Sequence, residues 1–243
     1  MMDQMEFIRE CQRVFALNRL PCTDEQAAQL FRLTERMLEI NKSMNLTAIT
    51  DEKAVILRHY VDSLTISEHI CQGASLMDVG CGAGFPTLPL AIFRPDLRIT
   101  ALDGTAKRIA YVRETAAMLG LDHVTAIAGR AEEYAAKPEY RESFDVVTAR
   151  AVAGLPVLCE LCLPFVRVGG KMIAMKSQQA DEELQNAKNG ISLCGGTSAV
   201  ACPVDITANE TDFERRILIL IEKEKKTPKI YPRHFSKISK KPL

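Results

Sequence analysis

The sequence predicts an α/β fold: a mainly parallel, seven-stranded sheet covered by helices on both faces, with a helical N-terminal appendage. Three observations predict it. Residues 1–72 carry helical apolar spacing throughout. From Ser75 onward, short apolar runs alternate with helical patterns, as they do when parallel strands are joined by crossover helices. Near the end, strands at 198–207 and 215–222 follow one another without a helix between them. Such a close connection is a hairpin, and it places one antiparallel member in the sheet.

The elements follow in order. Thr23-Asp-Glu-Gln26 is a capping box, in which Thr23 accepts from the N–H three residues on and Gln26 reaches back. After it, Leu30, Leu33, Met37 and Ile40 recur at helical spacing. Asn45 to Ile49 is a short connector, and a further helix is expected over about 52–71 with Ile56, Tyr60 and Leu64 on one face. Strands are expected at 75–79, 98–102, 123–128, 144–149 and 171–176. Helices are expected from 86 and over 105–119, 130–136, 155–167 and 179–188. Gly120 stops the second of these.

The 243 residues are 47% apolar and 26% charged, which allows a large core and excludes global disorder. No apolar run approaches the roughly 18–20 residues of a membrane span. The first ten residues carry acids and no apolar core of a secretory signal, so a cytoplasmic protein is expected. Net charge is zero, but unevenly placed. Residues 223–243 hold eight basic side chains and one acid, giving +7 against −7 for the rest. That basic C-terminal tail is expected to lie outside the core and to contact a polyanion. The eight cysteines include one CxxC, Cys159 and Cys162, with no second pair at zinc spacing, so no metal is expected.

The chemistry sits in Asp78-Val-Gly80-Cys-Gly82-Ala-Gly84-Phe85-Pro86, where the first strand turns into a helix. Missing side chains let the turn tighten and a ligand approach the backbone. Twenty-three residues after Gly80, the second strand ends in Asp103, whose carboxylate can accept from both ribose hydroxyls. A dinucleotide site wants a third glycine at position 85, which is Phe85. The G-x-G-x-G pattern is instead that of S-adenosylmethionine methyltransferases, whose sheet also ends in an antiparallel hairpin. The fold expected is therefore a Rossmann-like, class I methyltransferase sheet.

The acceptor is narrowed by elimination. The loop after the fourth strand, Thr148 to Pro156, lacks the [DNS]-P-P-[YF] motif that positions exocyclic amines. From Ser75 onward no cysteine follows a proline, as carbon-5 chemistry on pyrimidines would want. An acceptor nucleophilic without help remains, and N7 of guanine is one. RNA, protein and small-molecule acceptors stay open on this ground alone.

The chain resembles the bacterial RsmG/GidB family, the 16S ribosomal RNA guanine-N7 methyltransferases, over nearly its whole length. The likeness rests on Asn41-x3-Asn45-Leu-Thr-Ala-Ile49, Arg58-His59-x2-Asp62-Ser63, the Gly turn, Lys107-Arg108, Gly129-Arg-Ala-Glu132, Phe144 to Ala151, Ala174-Met-Lys176 and Lys226 to Arg233. It implies a helical N-terminal segment (1–72), a methyltransferase domain (73–222) and the tail (223–243). It implies Gly80 and Phe85 at the cofactor turn, Ala131 and Glu132 at the adenosine end, and Arg150 entering the same pocket. Asp103 keeps the ribose acid, although Asp103-Gly-Thr105 replaces a family Asp-Ser-Leu stretch, and Thr87 stands where glycine is common. No catalytic base is implied. The implied partner is 16S rRNA or the small ribosomal subunit, met by a monomer. Asn45, Arg58 and Lys176 are candidates for guanine or phosphate contacts. Plainer roles compete: a first-turn charge for Glu132, a surface ion pair for Arg150, a helix cap for Asn45, a packing histidine for His59.

Overall fold

Asp3 accepts from the N–H of Glu6 to start α1 (Gln4–Leu17), and Thr23 with Gln26 closes the capping box that starts α2 (Asp24–Met44). These helices open a computed structural model that describes residues 2–176 and 180–243. At the end of α2, Asn45 adopts φ +51° and caps the helix with its N–H on the Asn41 carbonyl. The Asn41 side chain then grips both backbone groups of Thr47, at 3.0 and 2.9 Å. The helix expected over 52–71 is broken into α3 (Glu52–Val55), a π-helical turn (Ile56–Val61) and α4 (Asp62–Leu64), with a 3-10 turn at Ser67–His69. The widened turn carries Arg58 and His59, and Asp62 follows directly after it.

The sheet elements are β1 (Ser75–Val79), α5 (Thr87–Phe93), β2 (Arg98–Asp103), α6 (Ala106–Met118), β3 (Val124–Ala128), α7 (Ala131–Tyr134), β4 (Phe144–Arg150), α8 (Leu155–Cys162), β5 (Val166–Lys176), α9 (Ala180–Leu193), β6 (Gly196–Thr207) and β7 (Phe213–Lys223). The strand order is β3-β2-β1-β4-β5-β7-β6, with β7 antiparallel to both its neighbours. The seven strands and the single reversed member agree with the sequence. Because β1 lies between β2 and β4, the crossovers leave it in opposite directions, and a crevice opens at the carboxyl ends of β1 and β4.

Several boundaries differ from expectation. The helix expected over 155–167 stops at Cys162, a 3-10 turn covers Leu163–Phe165, and β5 begins at Val166 rather than 171. Pro164 has no N–H to continue a helix, and a bulge between Phe144 and Val146 absorbs the extra strand length. The helix α9 runs on to Leu193; its expected first residue, 179, lies outside the described residues.

The sheet has a core on each face. On one, Phe7, Phe15, Leu30, Met37 and Tyr60 from the N-terminal helices join Leu76, Ile99, Val146 and Ile173 from the strands in one buried cluster. On the other, α8 and α9 cover Met77, Val147, Met172 and Ile219.

Residues 223–243 are not the core-free tail the composition suggested. Lys223 is buried within β7, and Tyr231 and Ile238 are buried against the second core. Residues Phe235–Lys240 form a short helix, α10. Composition misled because it counts charges without seeing their partners. Lys223 donates to the Leu163 carbonyl at 2.7 Å and to Thr227 Oγ1 at 2.6 Å, and burial lowers its pKa to about 8. Arg141 donates to the carbonyls of Thr227, Pro228 and Tyr231. Arg233 meets the fully buried Glu160 through Nε at 2.8 Å, Nη2 at 2.7 Å and its own N–H at 2.7 Å. Removing one partner of such a pair strands a buried charge. Arg233→Ala should therefore lower unfolding free energy by on the order of 3 kcal/mol, read from urea midpoints, whereas Lys240→Ala on the exposed face should change it by less than about 0.5.

Candidate functional site

Three cavities run along the carboxyl edge of the sheet. The first, about 250 Å³, is lined by Gly80, Asp103, Gly104, Arg130, Ala131 and Glu132, among others. The second, about 220 Å³, is lined by Thr47, His59, Gly80, Gly82, Phe85 and Arg150 among others, and so shares Gly80 with the first. The third, about 450 Å³, shares His59, Arg150 and Ala151 with the second and adds Arg58, Asp62, Lys176, Glu183 and Arg216. The groove is thus continuous from the end of β2, across β1 and β4, to β7.

The Gly turn is built for close approach. Gly80 has φ +76°, and a Cβ there would stand 2.5 Å from Val152 Cγ2, closing the floor between the first two cavities. Asp103 holds the turn from the side: Oδ2 accepts from the Gly82 N–H at 3.0 Å and Oδ1 from the Thr105 N–H at 2.8 Å. Each oxygen keeps a further lone pair for a ligand. Beneath the turn, Thr87 donates to Asp78 Oδ2 at 2.6 Å, while Asp78 Oδ1 is buried with no hydrogen-bond partner among the described residues. Burial raises the Asp78 pKa to about 6. Thr87 thus has a defined partner.

Arg150 ends β4 and joins three parts of the chain. Its Nη1 donates to Asp62 Oδ2 at 2.8 Å and to the Arg58 carbonyl at 3.2 Å. Its guanidinium lies 5.4 Å from the centre of the Phe85 ring. Asp62 Oδ1 accepts from Arg216 Nε at 2.9 Å, so one buried carboxylate bridges two arginines. His59 stacks on Phe85, centroids 4.4 Å apart. Arg150 Nη2 approaches His59 Nδ1 at 3.4 Å, and an arginine can only donate, so the proton sits on Nε2 and points to Thr47 Oγ1 at 2.9 Å. Burial, then the neighbouring Arg150 charge, depress the His59 pKa to about 3, so the ring is neutral near pH 7.

The residues expected at the site divide among these cavities. Gly80, Asp103, Ala131 and Glu132 line the first; Gly80, Phe85 and Arg150 line the second. Arg58 and Lys176 line the third, but Asn45 lines none of the three and caps α2. Lys176 pairs with Glu183 at 2.7 Å, and Arg58 with Glu214 at 2.8 Å. The sequence reading passed over Arg216, Val152 and Phe235. Arg216 carried no signal beyond its charge, since the contact with Asp62 spans 154 positions. Cys159 and Cys162 are buried thiols pushed up by burial, and no group of three metal-ligating side chains occurs among the described residues.

The reversed β7 distinguishes this sheet from dinucleotide-binding ones, and Phe85 distinguishes its turn. Both mark a class I S-adenosylmethionine-dependent methyltransferase. Residues 26–206 match the family GidB, rRNA small subunit methyltransferase G, and the chain belongs to that family. It is 42% identical to a protein of Lactobacillus delbrueckii subsp. bulgaricus described as ribosomal RNA small subunit methyltransferase G, covering 92% of each chain. It is 44% identical to a protein of that description from Alkaliphilus metalliredigens, over 90% of this chain and 92% of that one. Among solved structures, an O-methyltransferase from Bacillus cereus in complex with SAH shares the fold, with TM-score 0.54 and 18% identity over 87% of this chain and 100% of that one.

The cofactor of the class is S-adenosylmethionine, and the residues present fit it. The Gly80 backbone is open where any side chain would intrude, Asp103 has free acceptor capacity, and Asp78 Oδ1 is an unsatisfied acceptor beneath the turn. Among the described residues, no helix is long and apolar enough to cross a membrane.

His59 makes folding pH-dependent. Its folded pKa is about 3 against 6.5 when unfolded, so the unfolded chain binds the extra proton and stability falls as pH drops through that window. Asp78, raised to about 6, acts oppositely, gaining stability as pH falls. The comparison with His59→Gln cancels that shared contribution. Between about pH 6.5 and 5, wild type should lose roughly 2 kcal/mol relative to the variant in urea unfolding. Parallel pH profiles would show that His59 is not the group responsible.

Proposed function

We propose that this chain transfers a methyl group from S-adenosylmethionine to N7 of a guanine in 16S (small-subunit) ribosomal RNA. One observation carries the reading: the two cavities that fit the cofactor open, past His59, Arg150 and Ala151, into a third lined by Arg58, Arg150, Lys176 and Arg216. Four cations against Asp62 and Glu183 give a net positive floor, suited to an anionic polymer.

Bound S-adenosylmethionine supplies an electrophilic methyl on a sulfonium. Gly80, Asp103, Ala131 and Glu132 bind its adenosine side and Phe85 backs the turn. Arg150 and neutral His59 stand where donor and acceptor meet. Guanine N7 offers a lone pair that needs no deprotonation, so the chain supplies placement rather than a base. That lone pair must face the methyl, which excludes an arginine bridging O6 and N7 together in the reactive pose. Arg58, Lys176 and Arg216 then serve as donors to O6 alone and to phosphate, with the base turned out of its stack. The reading includes a monomeric cytoplasmic enzyme whose helical residues 1–72 face the RNA beside the methyltransferase sheet.

The basic C-terminal segment keeps part of its expected role. Lys223 and Arg233 are committed inside the fold, which leaves Lys225, Lys226, Lys229, Lys237, Lys240 and Lys241 exposed. If about half of them touch phosphate, replacing all six with glutamine should flatten the log–log salt dependence of RNA binding by roughly 2–3. An unchanged slope would remove them from the interface.

Cofactor binding is checked by calorimetry without RNA. Gly80→Val should abolish it, and Asp103→Ala should weaken it by on the order of 1.5–3 kcal/mol, the range for hydrogen bonds to a charged group. Transfer of labelled methyl to small-subunit RNA, followed by mapping of the modified base, tests the reaction. Label at N7 of one guanine is expected. Label on another RNA position, on protein, or on no macromolecule would overturn the assignment.

A further inference from the structure

The first cavity has a wall that comes from the far end of the chain. Phe235, at the start of α10, lines it together with Gly104, Ala131 and Glu132. The Arg130 guanidinium lies over the Phe235 ring at 4.3 Å from its centre, and Arg130 Nε reaches Glu132 Oε1 at 3.4 Å. A row of Phe235, Arg130 and Glu132 therefore borders the cavity. Phe235 is half-buried, packed against the second core and partly open.

The segment that delivers Phe235 is tightly held. Two residues before it, Arg233 is fixed to the buried Glu160 of α8; three after it, Ile238 is fully buried. The same helix α8 supplies Leu161 to the cavity. The ring is thus held from both sides.

We infer that residues 231–243 form a strap that completes the cofactor pocket, with Phe235 as the apolar wall of its adenosine end. The inference rests on the cofactor reading above. Adenine is a flat aromatic ring, and a second aromatic at the rim of its cavity offers edge or offset contact and excludes water. Arg130, sandwiched beside that wall, presents its charge at the same rim. The family match ends at residue 206, so the strap lies outside the matched region. A segment whose composition suggested RNA contact alone then serves two ligands: its lysines face outward and Phe235 faces the cofactor cavity.

The test is calorimetric titration of the full-length protein with S-adenosylhomocysteine and with adenosine. Phe235→Ala should weaken both by about 3- to 10-fold, the range of an aromatic contact. Phe235→Tyr should restore most of the loss, and its thermal midpoint without ligand should match wild type. Should Phe235→Ala fail to fold, Phe235→Leu, which keeps apolar bulk without the ring, carries the test and should weaken adenosine to a smaller extent. Wild-type binding that neither substitution changes would overturn the strap's role and leave the cofactor reading standing. Absence of binding by the unaltered chain would sink both. A loss confined to S-adenosylhomocysteine, with adenosine unaffected, would place Phe235 at the wrong end and also refute the inference.

Discussion

The carboxylate of Asp62 is the constraint on which the groove depends. It is buried at the end of the π-helical turn and must be paired. Arg150 from the end of β4 takes one oxygen and Arg216 from β7 the other. That bridge ties the N-terminal segment to the centre of the sheet and to its reversed strand, beside the core they share. Arg150 also lies against Phe85, which His59 covers, so the Gly turn is braced by the same set. Without the bridge, the second and third cavities would lose the hold on Arg150, which lines both.

The cavities differ in physical character. The first two expose backbone and two carboxylates, Asp103 and Glu132, suited to a ligand of many polar atoms. The third is cationic, although Lys176, Arg58 and Arg216 are already paired with carboxylates. Such pairing holds long side chains in place. His59, kept neutral by burial and by Arg150, adds no further positive charge beside the place where a sulfonium would stand.

The C-terminal segment shows how far charge counting departs from packing. Its composition is that of a solvated polyelectrolyte, yet two of its cations are internal. Lys223 is buried on carbonyl and hydroxyl acceptors, and Arg233 closes on Glu160. The segment contributes apolar anchors as well, Tyr231 and Ile238. The remaining lysines face outward because the inner face of the strap is occupied.

The sequence by itself determined the sheet, its single reversed strand, the Gly turn and the acid at the end of β2. These depend on local periodicity and on residues adjacent in the chain, where a strand, a turn and a helix must follow within a few positions. The roles of Thr23, Gln26 and Asn45 as caps are equally local. Only the tertiary structure decided which side chains share a cavity. Asp62 and Arg216, Glu160 and Arg233, and Arg130 and Phe235 are each brought together across 70 or more positions. No periodicity records such pairs, because a buried charge or a ring finds its partner through the topology of the sheet. The π-helical turn also left no mark in the apolar spacing, whereas the end of the helix before β5 follows a local signal, Pro164.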